Sequence, residues 1–249
     1  MAVAFDQLTL GNSDATAVTT LTINAASAGT NRLAIIFVAS GGSGNLPGLA
    51  VTVGGSPATR LTTISATLET WYYVAPPTAS TAYVATLTNI TRMVNYVVTF
   101  NGVSQTTPIR QSLNAEAGSV SSSSLTFSSS VSLDMLVDIV HHFINEDEVP
   151  GASQTERSAE QFFANNNFRQ SVSTKPVTGA SEPTSWTWAT AAGADPDHVG
   201  VCLNGTTSPG DNQVQWFMFK RWQGFLGELR RGLVPPDELR RRYKNTVTI

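Results

Sequence analysis

The chain of 249 residues contains one cysteine, Cys202, so no disulfide can form within it. Its neighbours Val199, Val201 and Leu203 mark it as a small core residue, and only His198 stands close enough in sequence to act on a thiol. Charge is scarce as well: 13% of residues are charged, against ~25% in an average soluble domain. Ser, Thr, Asn and Gln supply the solvated surface instead, a composition that suits exposed sheets because Thr fits a pleated surface. No apolar run approaches about 18 residues, which excludes a transmembrane helix. The opening MAVAFDQLTL has neither a basic region nor an apolar stretch of about 7–15 residues, so it does not read as a secretory signal. Folding in the cytoplasm where the chain is made is the expectation. Also missing are Gly-x-Ser-x-Gly, His-Glu-x-x-His and a phosphate loop, since Gly41 to Gly44 is not followed by Gly-Lys-Ser/Thr. No catalytic residue, cofactor or metal is assigned, and the chain reads as a non-enzyme.

What is present up to about residue 215 is a succession of short β patterns. Thr19 to Asn24 alternates, with Leu21 and Ile23 on one face and Thr20, Thr22 and Asn24 on the other, a half-buried strand. Leu33 to Ala39 is continuously apolar, as in a strand covered on both faces. Leu49 to Val53 and Ala58 to Ile64 flank Gly54-Gly55, a hairpin signal. Leu68 to Val74, Ala82 to Leu87 and Met93 to Phe100 follow, and two strand segments run through the Ser-rich stretch Gly118 to Ser132. Asp134 to Ile144 fits either a strand or a helix with Ser132 as N-cap; the β context favours the strand. Residues 145–183 read as a long polar excursion with a short helix over Ser158 to Phe163. Ser185 to Thr190 and His198 to Leu203 are the last strands of the body. The fold class is all-β, an antiparallel β-sandwich of jelly-roll type, with the body over 1–210 and a C-terminal, partly helical tail over 211–249.

The order of motifs resembles a known family. Asn31-Arg32-Leu33 opens an apolar strand; Val53-Gly54-Gly55 with Leu61-Thr62, then Glu69-Thr70-Trp71-Tyr72 with Pro76-Pro77, come next. Val98-Thr99-Phe100-Asn101-Gly102-Val103 leads into Gln105-Thr106-Thr107-Pro108, and Leu136-Val137-Asp138, Ser185-Trp186-Thr187-Trp188 and His198-Val199-Gly200-Val201 complete the series. This resembles the jelly-roll β-sandwich module of phage virion proteins and large bacterial surface proteins, over roughly residues 15–205. The resemblance implies a structural or lectin-like module without shared catalytic residues. A single copy, the missing signal and the appended tail favour a virion component.

Each chemical candidate has a plainer reading beside it. On a strand, His141 and His142 point to opposite faces and cannot chelate one metal, while His142 shares a face with Asp138 and Asp134, either an O/N site or a solvated polar face. The loops Glu146-Asp147-Glu148 and Asp195-Pro196-Asp197 hold Ca²⁺ only if they converge. Glycoside hydrolysis needs two carboxylates about 5–9.5 Å apart, and nothing singles out a pair, Asp138 with Glu69 included. Trp71, Trp186 and Trp188 are candidate glycan-stacking residues, with core packing as the alternative.

The tail carries the strongest pattern. From Trp216 to Ile249, eight basic residues stand against three acidic ones, a net +5; the whole chain is −3, so residues 1–215 carry −8. Trp216, Phe217, Phe219, Arg221, Trp222, Phe225, Leu229, Arg240, Arg241 and Arg242 are the candidate docking residues. Met218, Trp222, Phe225 and Leu229 fall on one helical stripe, and Pro235-Pro236 opens a second short helix whose acidic start and basic end match the helix dipole. The tail packs on its own acidic body or inserts into a neighbour. The expectation is a bacteriophage virion structural protein, a capsid decoration or a fibre or tail appendage, made in the host cytoplasm. Its partners are copies of itself, a trimer being one symmetric arrangement, and other virion proteins such as a capsid or tail protein. A carbohydrate-binding module for host-surface or extracellular glycans is the alternative. Nucleic acid is not an expected partner, because an acidic body repels phosphate, and a membrane is disfavoured.

Overall fold

The computed structural model describes residues 1–13, 16–41, 46–63, 67–128, 130–144, 146–162, 168–191 and 195–206. The tail expectations, and with them all ten candidate docking residues, lie outside the described residues. The described chain is all-β with antiparallel pairing throughout, and no helix occurs among the described residues. Its first half holds β1 (Ala4–Asn12), β2 (Val18–Ala25), β3 (Leu33–Ser40), β4 (Ala50–Val53), β5 (Ser56–Pro57), β6 (Thr59–Thr63), β7 (Leu68–Val74), β8 (Thr81–Thr91) and β9 (Met93–Asn101). Its second half holds β10 (Ile109–Glu116), β11 (Ser122–Ser128), β12 (Met135–His142), β13 (Val149–Pro150), β14 (Thr155–Phe162), β15 (Phe168–Pro176), β16 (Ser181–Thr187) and β17 (Asp197–Leu203).

The two halves repeat one strand order. In the first, β1-β9-β3-β7-β6 form a large sheet and β2-β8-β4-β5 a small one; in the second, β10-β17-β12-β15-β14 and β11-β16-β13 do the same. Strand for strand the connectivity matches, apart from the two-residue β5. The sequence reading expected a single copy across 1–210; the structure holds the unit twice. Two short signatures mark the repeat. Val98-Thr99-Phe100-Asn101-Gly102 matches Val201-Cys202-Leu203-Asn204-Gly205, and Thr20-Leu21-Thr22-Ile23 matches Ser124-Leu125-Thr126-Phe127. An antiparallel bridge joins Val103 to Gly205, so the ends of the two matched strands lie side by side.

Side-chain alternation builds four layers from these sheets. On β3, Leu33, Ile35, Phe37 and Ala39 face the large sheet of the second half, where Met135, Val137, Ile139, Phe168, Val172, Val199, Val201 and Leu203 meet them. On the opposite face of β3, Ala34, Ile36 and Val38 pack with Ile23, Val51, Val53, Tyr83, Ala85 and Leu87 of the small sheet. In the second half, Leu136 and Cys202 meet Leu125 and Phe127, and Val140 meets Trp186 and Trp188. The two large sheets thus lie at the centre with a small sheet outside each. This is why Leu33 to Ala39 is apolar without interruption: every residue of β3 is buried. Polar ties reinforce the central interface. The Val3 amide donates to the Leu133 carbonyl at 2.9 Å, the Thr67 hydroxyl donates to Asp197 Oδ2 at 2.5 Å, and the Arg157 guanidinium lies 3.9 Å from the centre of the Phe5 ring.

Several expectations are met. Asp134 to Ile144 contains strand β12, and Gly54 and Gly55, with φ of 57° and 84°, turn between β4 and β5 as a two-residue hairpin loop with both φ positive requires, although β6, the expected second arm, pairs with β7 in the large sheet instead. Two are corrected. Ser158 to Phe163 is not a helix: residues 155–162 form β14, paired to β15. The polar stretch 145–183 is no excursion, because it supplies β13, β14, β15 and the start of β16, and β15 lies inside a large sheet. Gln170, Ser171, Ser173 and Thr174 of β15 are buried despite their polarity, and side-chain bonding explains how three of them are accommodated.

Candidate functional site

The chemistry-bearing residues of the described chain collect between the large and small sheets of the second half. Along β12 and the residue just before it, those facing the small sheet are Asp134, Leu136, Asp138, Val140 and His142. The sequence reading allowed a solvated polar face here, but Asp134 is 3% exposed and Asp138 and His142 are 0% exposed, since β12 is covered on both sides.

Asp138 is the hub. Its Oδ2 lies 3.0 Å from Trp186 Nε1, 3.0 Å from His198 Nε2 and 3.3 Å from Gln154 Nε2, and its Oδ1 accepts from the Ser173 hydroxyl. Gln154 Nε2 also donates to Ser173 Oγ at 2.8 Å, and Gln154 Oε1 accepts the Ser185 amide at 2.6 Å. On the far side of the imidazole, Ser123 Oγ lies 3.0 Å from His198 Nδ1. A carboxylate only accepts, so the His198 Nε2–H points at Asp138 while Ser123 closes the opposite side of the ring. Hydroxyl, imidazole and carboxylate thus stand in the order of a hydrolase relay, joined through the opposite ring nitrogens to the usual ones. Ser123 is only 7% exposed, because Ser123, Leu125 and Phe127 form the inward row of β11. Four donors, one each from β15, β16, β17 and the loop before β14, thus converge on one buried carboxylate and cross-brace the sheets around it.

A second cluster lies at the end of β12. His142 Nε2 is 3.0 Å from Glu148 Oε1, at ion-pair distance but off the line a hydrogen bond needs. Glu148 Oε2 accepts from Arg169 Nε at 3.1 Å and from the Ser171 hydroxyl at 2.9 Å, and the His142 ring lies 5.2 Å from that of Trp188. His141 faces the opposite way, into the central interface, as the strand reading requires; it packs 4.3 Å from Phe168 and 3.7 Å from Asp197 Oδ2. Burial, and then the neighbouring His142, push its pKa down to about 3. A third cluster ties the chain ends of the half together. Asp134 accepts from Arg110 Nε at 2.5 Å and from the amides of Val131 and Gly205 at 3.0 Å each. Cys202 lies 3.7 Å from the same carboxylate; burial, with Asp134 beside it, pushes its thiol up to about 12. It is the inert core thiol expected.

The remaining sequence candidates are placed as follows. Trp186 is fully buried and donates to Asp138; Trp188 is 5% exposed and donates to the Val120 carbonyl at 2.7 Å; Trp71 is 9% exposed among the apolar residues between the first two sheets. Their rings are covered by protein, which corrects the glycan-stacking expectation in favour of core packing. Glu69 pairs with Arg60 at 2.7 Å, and burial raises its pKa against that pull. Glu69 faces the small sheet of the first half and Asp138 that of the second, so both large sheets separate them and they form no carboxylate pair. Of the acidic loops, Glu148 and Asp147 are held by Arg169, Glu146 accepts the Thr190 amide at 2.6 Å, and Asp197 accepts from Thr67. Among the described residues no three His, Cys, Asp or Glu are grouped to hold a metal ion.

Sequence reasoning missed Ser123, Gln154 and Ser173. Ser123 stands in a run of serines, and the other two fall in the stretch read as an excursion. The usable signal was Asp138 inside an otherwise apolar strand: a buried carboxylate requires donors, and Ser173, Trp186, His198 and Gln154 supply them.

No protein-family model, no curated protein and no solved structure matches this chain.

Proposed function

We propose that this chain is a non-enzymatic structural protein of a bacteriophage virion, a capsid decoration or a fibre or tail appendage, displayed through residues 1–210 and anchored by residues 211–249. Each half is read as a jelly roll: the orders β1-β9-β3-β7 against β2-β8-β4-β5, and β10-β17-β12-β15 against β11-β16-β13, are those of a sandwich with two interleaved Greek keys. One observation carries the structural reading. All three histidines and the cysteine are 0% exposed, and the histidines sit beside buried carboxylates. Groups that elsewhere do chemistry act here as internal fastenings, as suits a rigid display body. The contrast between the −8 of residues 1–215 and the +5 beyond supports a separate docking role for the tail.

Incorporation into density-gradient-purified particles tests this, comparing the full chain with a chain ending at Thr206. The full chain is expected at a fixed copy number and the shortened one, still folded by circular dichroism, is expected to be absent. Equal incorporation of both sinks the anchoring role, and absence of the full chain sinks the virion reading.

A further inference from the structure

Four sheets have eight edge strands, and an exposed edge invites pairing with another chain unless a bulge, charge, proline or short length prevents it. Seven of the eight are guarded in this way. Bulges interrupt β1 between Phe5 and Gln7, β2 between Val18 and Thr20, β6 between Arg60 and Thr62, β10 between Ile109 and Gln111, and β14 between Glu156 and Ser158. The other two small-sheet edges, β5 and β13, are two residues long and end in Pro57 and Pro150. The exception is β11. Ser122–Ser128 runs seven residues in unbroken register with β16 and contains no charge and no proline.

The direction of its backbone groups can be read from its bonds. The Ser128 amide donates to the Gln111 side chain at 3.0 Å, away from β16, whereas the Ser121 carbonyl accepts the amide of Trp188 beyond the end of β16. Backbone groups alternate sides along a strand. Those of Ser123, Leu125 and Phe127 therefore turn toward β16, and those of Ser122, Ser124 and Thr126 turn outward, unbonded among the described residues.

We propose that β11 is a strand-addition site for the β11 of a second copy, the two strands running antiparallel about a two-fold axis at Leu125. The sequence Ser-Ser-Ser-Leu-Thr-Phe-Ser is self-complementary in this register. Ser124 lies opposite Thr126 on the outer face and Ser122 opposite Ser128, whose amide stays with Gln111 and whose carbonyl accepts from Ser122, while the two Leu125 residues meet on the inner face beside Phe127. Two three-stranded sheets become one of six strands, an isologous contact that closes at two copies. The choice of a second copy rests on that self-complementary pattern, and the strand brings no charge of its own that would oppose a like strand. The pairing is independent of the virion reading, since it is a property of the purified chain.

Sedimentation velocity over a concentration series, with amide hydrogen exchange, tests it on the full chain. The expected result is a monomer–dimer equilibrium in which the amides of Ser122, Ser124 and Thr126 slow as dimer forms. Ser124→Pro removes an outward amide while sparing the bonds to β16, so it is expected to keep the native spectrum and weaken the dimer roughly tenfold or more. Thr126→Lys adds a guarding charge and is expected to do the same, which keeps the test alive if the proline variant misfolds. A dimer indifferent to both substitutions overturns the proposal, as does a chain that stays monomeric throughout. Slow exchange of the three amides already in the monomer also overturns it, by showing the edge covered from within the same chain.

Discussion

The two halves of the body share a strand order but not a core. In the first, the row across β7, β3 and β9 is Trp71, Ile36 and Val97; in the second, the matching row across β15, β12 and β17 is Ser173, Asp138 and Gly200. One half fills the space between its sheets with apolar bulk, and the other fills it with a bonded carboxylate. The edges differ in the same way: β2 is broken by a bulge where its counterpart β11 runs uninterrupted. The repeated connectivity shows that strand order and alternation define this architecture, and that the filling between sheets is free to vary if each filling is internally consistent.

Exchanging the fillings is the severest way to break the comparison. Ile36→Asp puts a carboxylate where no donors converge, and an unpaired buried charge costs several kcal/mol, on the order of the whole stability of a domain. This variant is expected not to fold, as judged by circular dichroism and solubility. Asp138→Ala removes the acceptor shared by Trp186, His198, Ser173 and Gln154 and is expected to destabilise by about 3–5 kcal/mol in urea titration. A loss under about 1 kcal/mol would falsify the account of Asp138 as the hub.

Much of this was legible in the residues. The uninterrupted apolar run of β3 and the opposite facing of His141 and His142 follow from periodicity, the glycine turn after Val53 from its residue types, and each is found in place. The duplication was not legible, because only two short signatures survive between halves whose cores have different chemistry. Nor was β15, whose Arg169, Gln170, Ser171, Ser173 and Thr174 have the composition of a surface loop. Hydropathy reports the cost of burying such residues, whereas Ser171 and Ser173 are buried because Glu148 and Asp138 stand opposite them, and Thr174 because it accepts from Arg157 Nε at 2.8 Å. Complementarity of that kind is written in pairs of distant positions, and a single strand's pattern does not contain it.

The apolar contacts sharpen the comparison on a smaller scale. Val97 and Ile23 of the first half correspond to Gly200 and Phe127 of the second, a large ring matched by the loss of a side chain. A Cβ on Gly200 would lie 2.7 Å from Phe127 Cζ and 3.0 Å from Leu125 Cδ1. Gly200→Ala is therefore expected to cost about 1–3 kcal/mol, as overpacked cores do. Adding Phe127→Ile, which restores the first half's smaller partner, should recover part of that loss. A double-mutant cycle measures the coupling; strict additivity would mean that the two positions do not compensate each other.

The mildest test uses acid. His141 occupies the row position of Ala39 in the first half, so only the second half brings an imidazole into the central interface. It faces Asp197 from β17, Gln170 from β15, and the rings of Phe143 and Phe168, with His142 beside it. Asp197 favours the charged form, but burial and the adjacent His142 outweigh it and hold the pKa at about 3, from 6.5 when unfolded. Between those values the unfolded chain binds the additional proton, so stability is complete above pH 6.5 and declines as pH falls toward 3. At pH 5 the loss from this residue is ~2 kcal/mol, from 1.36 kcal/mol per unit of pKa difference. His141→Ala, the residue found in the first half, lowers stability at neutral pH by leaving a cavity but should flatten the slope between pH 5 and 6.5. The slope is the informative quantity: if urea midpoints of the wild type and His141→Ala fall in parallel with acid, the pH sensitivity of the interface lies with the carboxylates and not with this histidine.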